Sequence, residues 1–298
     1  MSTAQAQAPP LSKPVIFGTA GLGGIGGWIV VHPFNTIAVR SSLASTVGKP
    51  FSLASMIKKE GPLSVYSGLS AGIARQLVYA TSRFGLFETF RDKLHQARGK
   101  TDFTGRVSVG AVTGGIAAYL SCPMEVCVVR MSNDATLPVE KQRGYTSVAN
   151  AGARILKEEG LSAFWRGSTP FVQRAMMVGV FQVATYDQFK TMYAKQFGQK
   201  KDSVTNVFCG AMTSGLLYSL VTMPLESMKN RMANQVAGPD GKLPYTGTMQ
   251  GFRKVVGTEG ALALYKGYLA YYGRCGGHTV TMFLFVQILR DFYREYSA

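Results

Sequence analysis

One sequence pattern occurs three times along the 298 residues, and this repetition constrains the fold more than any other feature. A Glu-Gly pair, followed shortly by an aromatic residue, one variable residue and a glycine, begins at Glu60, Glu159 and Glu259. These starting points are 99 and 100 residues apart. The period predicts three similar units, which we place at residues 15–98, 99–198 and 199–298, after an N-terminal tail at 1–14.

Each unit contains two long apolar segments that are separated by a short amphipathic segment. The first long segment is rich in glycine and is predicted to continue as a helix past a proline, which bends it. The second long segment is predicted to begin just after the last glycine of the repeated signature. Segments of about 20 apolar residues are long enough to cross a hydrocarbon core. The sequence therefore predicts an all-α membrane protein with six transmembrane helices and three short amphipathic ones. The prolines expected to bend helices are Pro33, Pro123 and Pro224.

Composition supports a membrane location and argues against several other classes of protein. Charged residues make up 16% of the chain, well below the content of about 25% in soluble domains, yet the formal net charge is +16. A basic excess on an apolar chain suits an anionic membrane surface. The basic residues lie between apolar segments and no nucleic-acid-binding motif occurs, so we expect no nucleic-acid partner. The four cysteines and three histidines lack metal-ligand spacing, and no nucleophile and base form a catalytic set, so neither a metal site nor an enzyme is predicted.

One glycine motif has two interpretations. The segment from Gly21 to Gly26 matches GxGxxG, which is typical of dinucleotide binding. However, no acidic residue lies near the position about 20 residues later, and the flanking sequence reads as one apolar helix. Close helix packing explains these glycines better.

The second long helix of each unit carries arginines, which are costly in a lipid bilayer unless they line a wet cavity or meet anions. Arg75, Tyr79 and Arg83 are spaced i, i+4 and i+8, so they lie on nearly one face. The alternative is structural, because such an arginine would also hold the carboxylate of a neighbouring helix.

Two further repeated motifs point to a family. The motif proline-x-acid-x-x-base-x-base is complete after Pro224 and partial after Pro33 and Pro123. The motif aromatic-acid-x-x-base occurs as Phe87-Glu88-Thr-Phe-Arg91 and Tyr186-Asp187-Gln-Phe-Lys190. Together with the triplication, these motifs resemble the mitochondrial carrier family across essentially Val15 to Arg290. The resemblance implies a monomeric six-helix barrel with threefold pseudo-symmetry in the mitochondrial inner membrane, with the short helices on the matrix side. It also implies antiport by alternating access and no cofactor other than bound cardiolipin.

The resemblance further implies a substrate site on the second long helices. Its positions are Arg75, Tyr79, Arg83, Arg174, Gln182, Arg274 and His278. The spacing agrees, because Arg174 shares a face with Gln182, and Arg274 shares one with His278. Arginine forks bind carboxylates in a bidentate manner, which favours small dicarboxylates. The resemblance implies dicarboxylates of the 2-oxoglutarate and malate type. Phosphate or sulfate would satisfy the same arginines.

The resemblance implies that ion pairs close a gate at each end of the barrel. This chain has only some of the residues that would form these pairs. At the matrix gate Glu125 is expected to pair with Lys229, whereas Glu226 faces Ala38 and lacks its base. At the cytosolic gate Glu88 is expected to pair with Lys190. The remaining cytosolic gate positions are Asp187 and Arg91, which lack opposite partners.

Cardiolipin phosphates are expected at the second-helix starts, at Gly68, Arg166, Gly167, Lys266 and Gly267.

These weakened gates leave two hypotheses about function. The first is an exchanger of small dicarboxylates. The second is a carrier-fold protein that serves as a structural or docking subunit of a larger inner-membrane complex, with reduced or no transport. Retention of arginines in all three units favours transport. Gly179 stands where the resemblance leads us to expect a polar residue, which affects the expected choice of substrate.

Overall fold

The computed structural model describes residues 13–44, 51–98, 103–137, 140, 142–198, 203–238 and 240–297. Within these ranges the chain forms long and short helices and no strand. The long helices are α1 (Lys13–Ala44), α3 (Leu69–Arg98), α4 (Phe103–Asn133), α6 (Ser168–Phe197), α7 (Val204–Asn234) and α9 (Tyr268–Ser297). The short helices are α2 (Leu53–Glu60), α5 (Val148–Glu159) and α8 (Thr248–Glu259).

The long helices pack in a closed ring. Helix α1 contacts α9 and α3, α4 contacts α3 and α6, and α7 contacts α6 and α9. Each short helix connects the two long helices of its own unit, so all three lie at the same end of the ring, which we call the short-helix end. The predicted all-α barrel with threefold pseudo-symmetry is confirmed.

The repeated prolines do not end their helices. Pro33, Pro123 and Pro224 lie inside α1, α4 and α7, and each helix continues for several turns beyond its proline. The predicted continuation is therefore confirmed, while the bend at each proline stays a prediction.

Three glycines start the second long helices, and the backbone explains why no other residue fits. Gly68, Gly167 and Gly267 have φ values of 81°, 85° and 86°, in the left-handed region that favours glycine. A Cβ on Gly167 would lie 3.0 Å from the carbonyl oxygen of Lys229, and one on Gly267 would lie 3.1 Å from that of Ala38. Each second helix thus begins against the proline-containing helix of another unit, which joins the units at the short-helix end.

The GxGxxG segment lies within α1, as the packing interpretation predicted. A Cβ on Gly23 would lie 3.1 Å from the backbone nitrogen of Val286, and one on Gly26 would lie 3.0 Å from the ring of Phe285. These glycines let α1 approach α9 closely. A Cβ on Gly21 would meet no atom of another described segment within 4 Å.

The proline-containing helices have the most apolar sequences of the long helices. Gly18–Ala44, Val107–Thr136 and Thr205–Asn234 are long and apolar enough to cross a membrane by length and composition. Large apolar side chains are exposed on these helices, including Leu22, Val30, Leu120, Tyr119, Leu217 and Leu220. Helices α3, α6 and α9 have similar lengths but carry more polar residues, because they contribute the arginines of the barrel interior.

Candidate functional site

Charged side chains from the proline-containing helices and from the second long helices lie together in a largely buried group, which we call the central cluster. Its members are Arg75 of α3, Arg174 of α6, Arg274 of α9, Glu125 of α4, and Glu226 and Lys229 of α7. Arginines from all three units are therefore brought together, although they lie about 100 residues apart in sequence.

Glu125 lies between two cations. Its Oε1 accepts a hydrogen bond from Lys229 Nζ, and its Oε2 lies 3.4 Å from Nε of Arg75. The carboxylate is buried, and the residue is 5% exposed. The ion pair that the sequence predicted for the matrix gate is thus present at the short-helix end.

Glu226 has three cationic partners, so the expectation that it lacks its base is wrong. Lys229 Nζ lies 2.8 Å from its Oε1, and Nη2 of Arg274 lies 3.2 Å from the same oxygen. Nε of Arg174 lies 3.1 Å from Oε2. The gate motif includes bases only on the proline-containing helices. The guanidiniums of Arg174 and Arg274, in contrast, reach Glu226 from α6 and α9. The structural alternative for the arginines is therefore also realised, because each one in the cluster holds a carboxylate of another helix.

The central cluster has an excess of positive charge. Four cations face two carboxylates, which leaves two positive charges uncompensated within the cluster. Uncompensated charge in a buried site is unfavourable. A ligand with two negative charges would neutralise the cluster, whereas a ligand with one would leave half of the excess.

Arg83 differs from the other candidate arginines. Its Nη1 donates a hydrogen bond to the hydroxyl of Tyr79 at 3.3 Å, and its side chain is half-buried. It lies about 12 Å further along α3 than Arg75, given the rise of a helix. Among the described side chains, Arg83 has no ion pair with a carboxylate.

An aromatic residue of α1 borders the cluster, and sequence reasoning missed it. The guanidinium carbon of Arg75 lies 4.2 Å from the ring centroid of Trp28, which is a cation–π contact. The ring of His278 lies against the same indole, with 6.1 Å between centroids. Trp28 stands within a run of apolar residues, so nothing in the pattern distinguished it from a packing residue.

Three other predicted positions give less information about their contacts. The Nε2 atom of His278 is buried without a hydrogen-bond partner in the part of the chain that the structure describes. Gln182 and Asp187 belong to α6, but their side chains lie outside the described residues.

At the opposite end, the described side chains do not form the predicted pair between Glu88 and Lys190. Glu88 is exposed, and among the described side chains its carboxylate forms no ion pair with Lys190. Arg91 instead binds its neighbour Asp92, with 2.9 Å between Nη2 and Oδ1. Among the described side chains, the predicted gate pair is therefore formed at the short-helix end, whereas the Glu88–Lys190 pair is not formed at the other.

A second repeated ion pair, which we call the brace, lies at the short-helix end of every unit. Seven residues after each proline, an arginine binds the glutamate of the repeated signature. The pairs are Arg40–Glu60, Arg130–Glu159 and Arg231–Glu259. All three arginine side chains are fully buried. Both residues of each pair belong to the repeated motifs, but their linear spacing does not indicate that they form a pair.

The second brace also explains a residue that was predicted to bind lipid. Arg166 donates to Glu159, and its Nη1 lies 3.4 Å from the carbonyl oxygen of Gln235. Burial alone would raise the pKa of Glu159, but the hydrogen bond and charge of Arg130, together with Arg166 and Arg143, hold that pKa below its ordinary value. Lys266, the corresponding residue of the third unit, is exposed.

A cavity of about 380 Å³ lies beside the start of α3. Its lining combines residues of the first unit with the loop that follows α4. They include Tyr66, Gly68, Ser70, Asp134, Gln142 and Tyr145.

Comparison with known proteins shows sequence similarity over nearly the whole chain. A sequence profile of the family described as mitochondrial carrier protein matches residues 11–98, 99–197 and 200–297. The chain is 37% identical to the mitochondrial 2-oxoglutarate/malate carrier protein of Caenorhabditis elegans, over 95% of this chain and 94% of that protein. It is 35% identical to the proteins of the same name from Mus musculus and Homo sapiens, in each case over 96% of this chain and 92% of the relative.

Proposed function

This chain belongs to the mitochondrial carrier protein family, and we propose from that premise that it exchanges small dicarboxylates of the 2-oxoglutarate and malate type across the mitochondrial inner membrane. The observation that carries the proposal is the central cluster, because arginines from all three units converge there with an excess of two positive charges. That excess matches the charge of a dicarboxylate dianion. Relatives that match almost the full length of the chain carry this substrate pair in their names.

The geometry supports a transport cycle with alternating access. The Glu125–Lys229 pair holds α4 and α7 together at the short-helix end, while Glu88 is exposed at the other end. A substrate would therefore enter from the end away from the short helices, which we propose faces the intermembrane space. A substrate shifts such an equilibrium only as far as it binds the two states unequally.

Each proposed binding residue has a distinct chemical capacity. Arg75, Arg174 and Arg274 present guanidinium forks that match carboxylate geometry. Tyr79 and His278 are suited to hydrogen bonds with a keto or hydroxyl oxygen. We infer no catalytic step, because the proposed cycle makes and breaks no covalent bond in the substrate.

The alternative role as a structural or docking subunit loses part of its support. It was motivated by the weakened gates at both ends, and at the short-helix end Arg174 and Arg274 lie 3.1 and 3.2 Å from the Glu226 carboxylate. At the short-helix end, Glu226 is therefore paired in the folded protein although the motif supplies no base opposite it.

Exchange in reconstituted liposomes tests the proposal. Liposomes loaded with malate should take up labelled 2-oxoglutarate, and empty liposomes should not. Arg75→Ala and Arg274→Ala should abolish uptake, because each removes a carboxylate-binding fork from the central cluster. The absence of exchange with any dicarboxylate, together with stable copurification in a large complex, would instead support the structural role. Uptake of phosphate or sulfate in place of dicarboxylates would overturn the substrate assignment.

We also propose that cardiolipin binds at the short-helix end. The start of α3 at Gly68 lines the cavity described above, and backbone N–H groups at a helix start attract phosphate. Arg166 is engaged by Glu159, so the second-unit site would depend more on backbone groups than on this guanidinium. Native mass spectrometry of the purified protein should detect retained cardiolipin, and its complete absence after mild extraction would contradict the proposal.

A further inference from the structure

We propose that Glu226 is an internal counter-anion that a bound dicarboxylate displaces. In this conformation its carboxylate forms ion pairs with Arg174 and Arg274. A bound dianion would bind these two guanidiniums in place of Glu226. The inference rests on the proposed function and deepens it, because it assigns to one residue both the strength and the charge selectivity of substrate binding.

The first argument is the position of Glu226 in the cluster. Both of its oxygens lie within 3.2 Å of cationic nitrogens that come from three helices, α6, α7 and α9. The residue is 2% exposed. A carboxylate that lies among cationic nitrogens in this way resembles a bound ligand carboxylate in its electrostatic environment.

The second argument is the identity of the residue opposite. Position 38 is an alanine, which is 3% exposed and packs against Met223 and Tyr271. No side-chain cation at that position competes for Glu226. The guanidiniums of Arg174 and Arg274 therefore serve two roles in this chain, as partners of a gate residue and as predicted substrate ligands. Substrate binding and loss of the Glu226 ion pairs become a single competition.

The third argument is the charge balance. With Glu226 ionised, the cluster has an excess of two positive charges, and with Glu226 neutralised the excess becomes three. Complementary charge favours a ligand with the same number of negative charges as the excess. Glu226 thus biases the site toward dianions and against trianions.

Glu226→Gln keeps the size of the side chain and removes its charge, so it tests the competition directly. Dissociation constants for malate and citrate should be measured by isothermal titration calorimetry on the purified full-length carrier in detergent. We expect the variant to bind malate about tenfold more tightly, the change that one weak ion pair supplies. The gain for citrate, a tricarboxylate, should be larger than the gain for malate.

Two matched variants separate this effect from general changes in stability. Glu226→Asp keeps the charge, so its dissociation constants for malate and citrate should stay close to those of the unchanged protein. Glu60→Gln removes a carboxylate from the buried Arg40, outside the central cluster, and should lower the melting temperature without changing either dissociation constant. If Glu226→Gln lowers the melting temperature while malate binds no more tightly, Glu226 is only a structural partner of Lys229 and the inference is overturned.

A measurement on the unchanged protein covers the case in which Glu226→Gln does not fold. Infrared difference spectra should be recorded on addition of malate with ¹³C-labelled carboxyl groups, which separates ligand bands from protein bands. Displacement of Glu226 predicts a shift of a protein carboxylate band, and a spectrum without such a shift overturns the inference. Failure of the proposed function would look different, because the unchanged protein would then show no dicarboxylate exchange in liposomes, whatever the variant binds.

Discussion

The guanidinium of Arg40 binds both carboxylate oxygens of Glu60, at 2.8 and 2.9 Å, and so fixes α1 to the end of α2. The same guanidinium also donates from Nε to the carbonyl oxygen of Ser132 in α4, at 2.7 Å. One side chain therefore joins its own short helix to the next unit. Because Arg130 repeats the arrangement with Glu159 and Ala233, the braces act between units as well as within them.

Removal of a brace carboxylate should destabilise the protein strongly. Glu159→Gln leaves the fully buried Arg130 without its counterion, which costs about 3–5 kcal/mol in comparable buried pairs. Glu158→Gln is a matched control, because this neighbouring carboxylate is 49% exposed and pairs with Arg154 at the surface, where the expected cost is below about 1 kcal/mol. Thermal unfolding in detergent should give a much lower midpoint for Glu159→Gln. Equal midpoints for the two variants would contradict the role of the brace.

The same brace predicts a dependence of stability on pH. The pKa of Glu159 in the folded protein lies below the ordinary value of 4.5, because Arg130, Arg166 and Arg143 favour the ionised form. Its contribution is therefore complete above pH 4.5 and is lost as the pH falls through the lower value of the folded state. The difference in melting temperature between the unchanged protein and Glu159→Gln should be largest at neutral pH and should shrink below pH 4.5. A constant difference over that interval would contradict the assignment.

Gly179 is explained by packing, and this yields a prediction about the interface between α4 and α6. A Cβ at this position would lie 3.1 Å from the carbonyl oxygen of Gly110, which is closer than ordinary side chains approach. Gly179→Ser should therefore separate the helices and cost about 1–3 kcal/mol. Gly152→Ala in α5 is the control, because a Cβ at this position would meet no atom of another described segment within 4 Å and alanine favours a helix. Thermal unfolding should show a loss for the first variant and no loss for the second.

The sequence predicted the fold well because the fold depends on features that repeat. Each second long helix begins at the residue after Gly68, Gly167 or Gly267, as predicted, since the left-handed backbone at these glycines has a signature in the chain. The proline-containing helices also continue as expected. Triplication made each of these inferences independent of any single residue.

The partners within the site were harder to predict, because they depend on side-chain reach between helices. The motif placed Glu226 opposite Ala38 and stopped there, whereas Arg174 and Arg274 extend to it from α6 and α9. Trp28 could not be distinguished from a packing residue for a similar reason. Linear spacing shows which residues share a face, but it does not show which neighbouring helix presents the nearest charge.

Arg83 should be essential for transport and nearly neutral for stability. Among the described residues its only polar partner is the hydroxyl of Tyr79, at 3.3 Å, so Arg83→Ala leaves no buried carboxylate uncompensated. Arg174→Ala, in contrast, removes a partner of the buried Glu226 and should lower the melting temperature as well as transport. We expect Arg83→Ala to reduce malate-driven uptake of 2-oxoglutarate at least tenfold, since the loss of one charge-assisted contact is worth more than about 1.4 kcal/mol. Arg83→Lys should restore part of the activity, because lysine keeps the charge but loses the fork. Arg253→Ala, at an exposed arginine of α8, controls for the loss of a positive charge and should leave uptake unchanged. If Arg83→Ala transported normally, a substrate path along this face of α3 would be excluded.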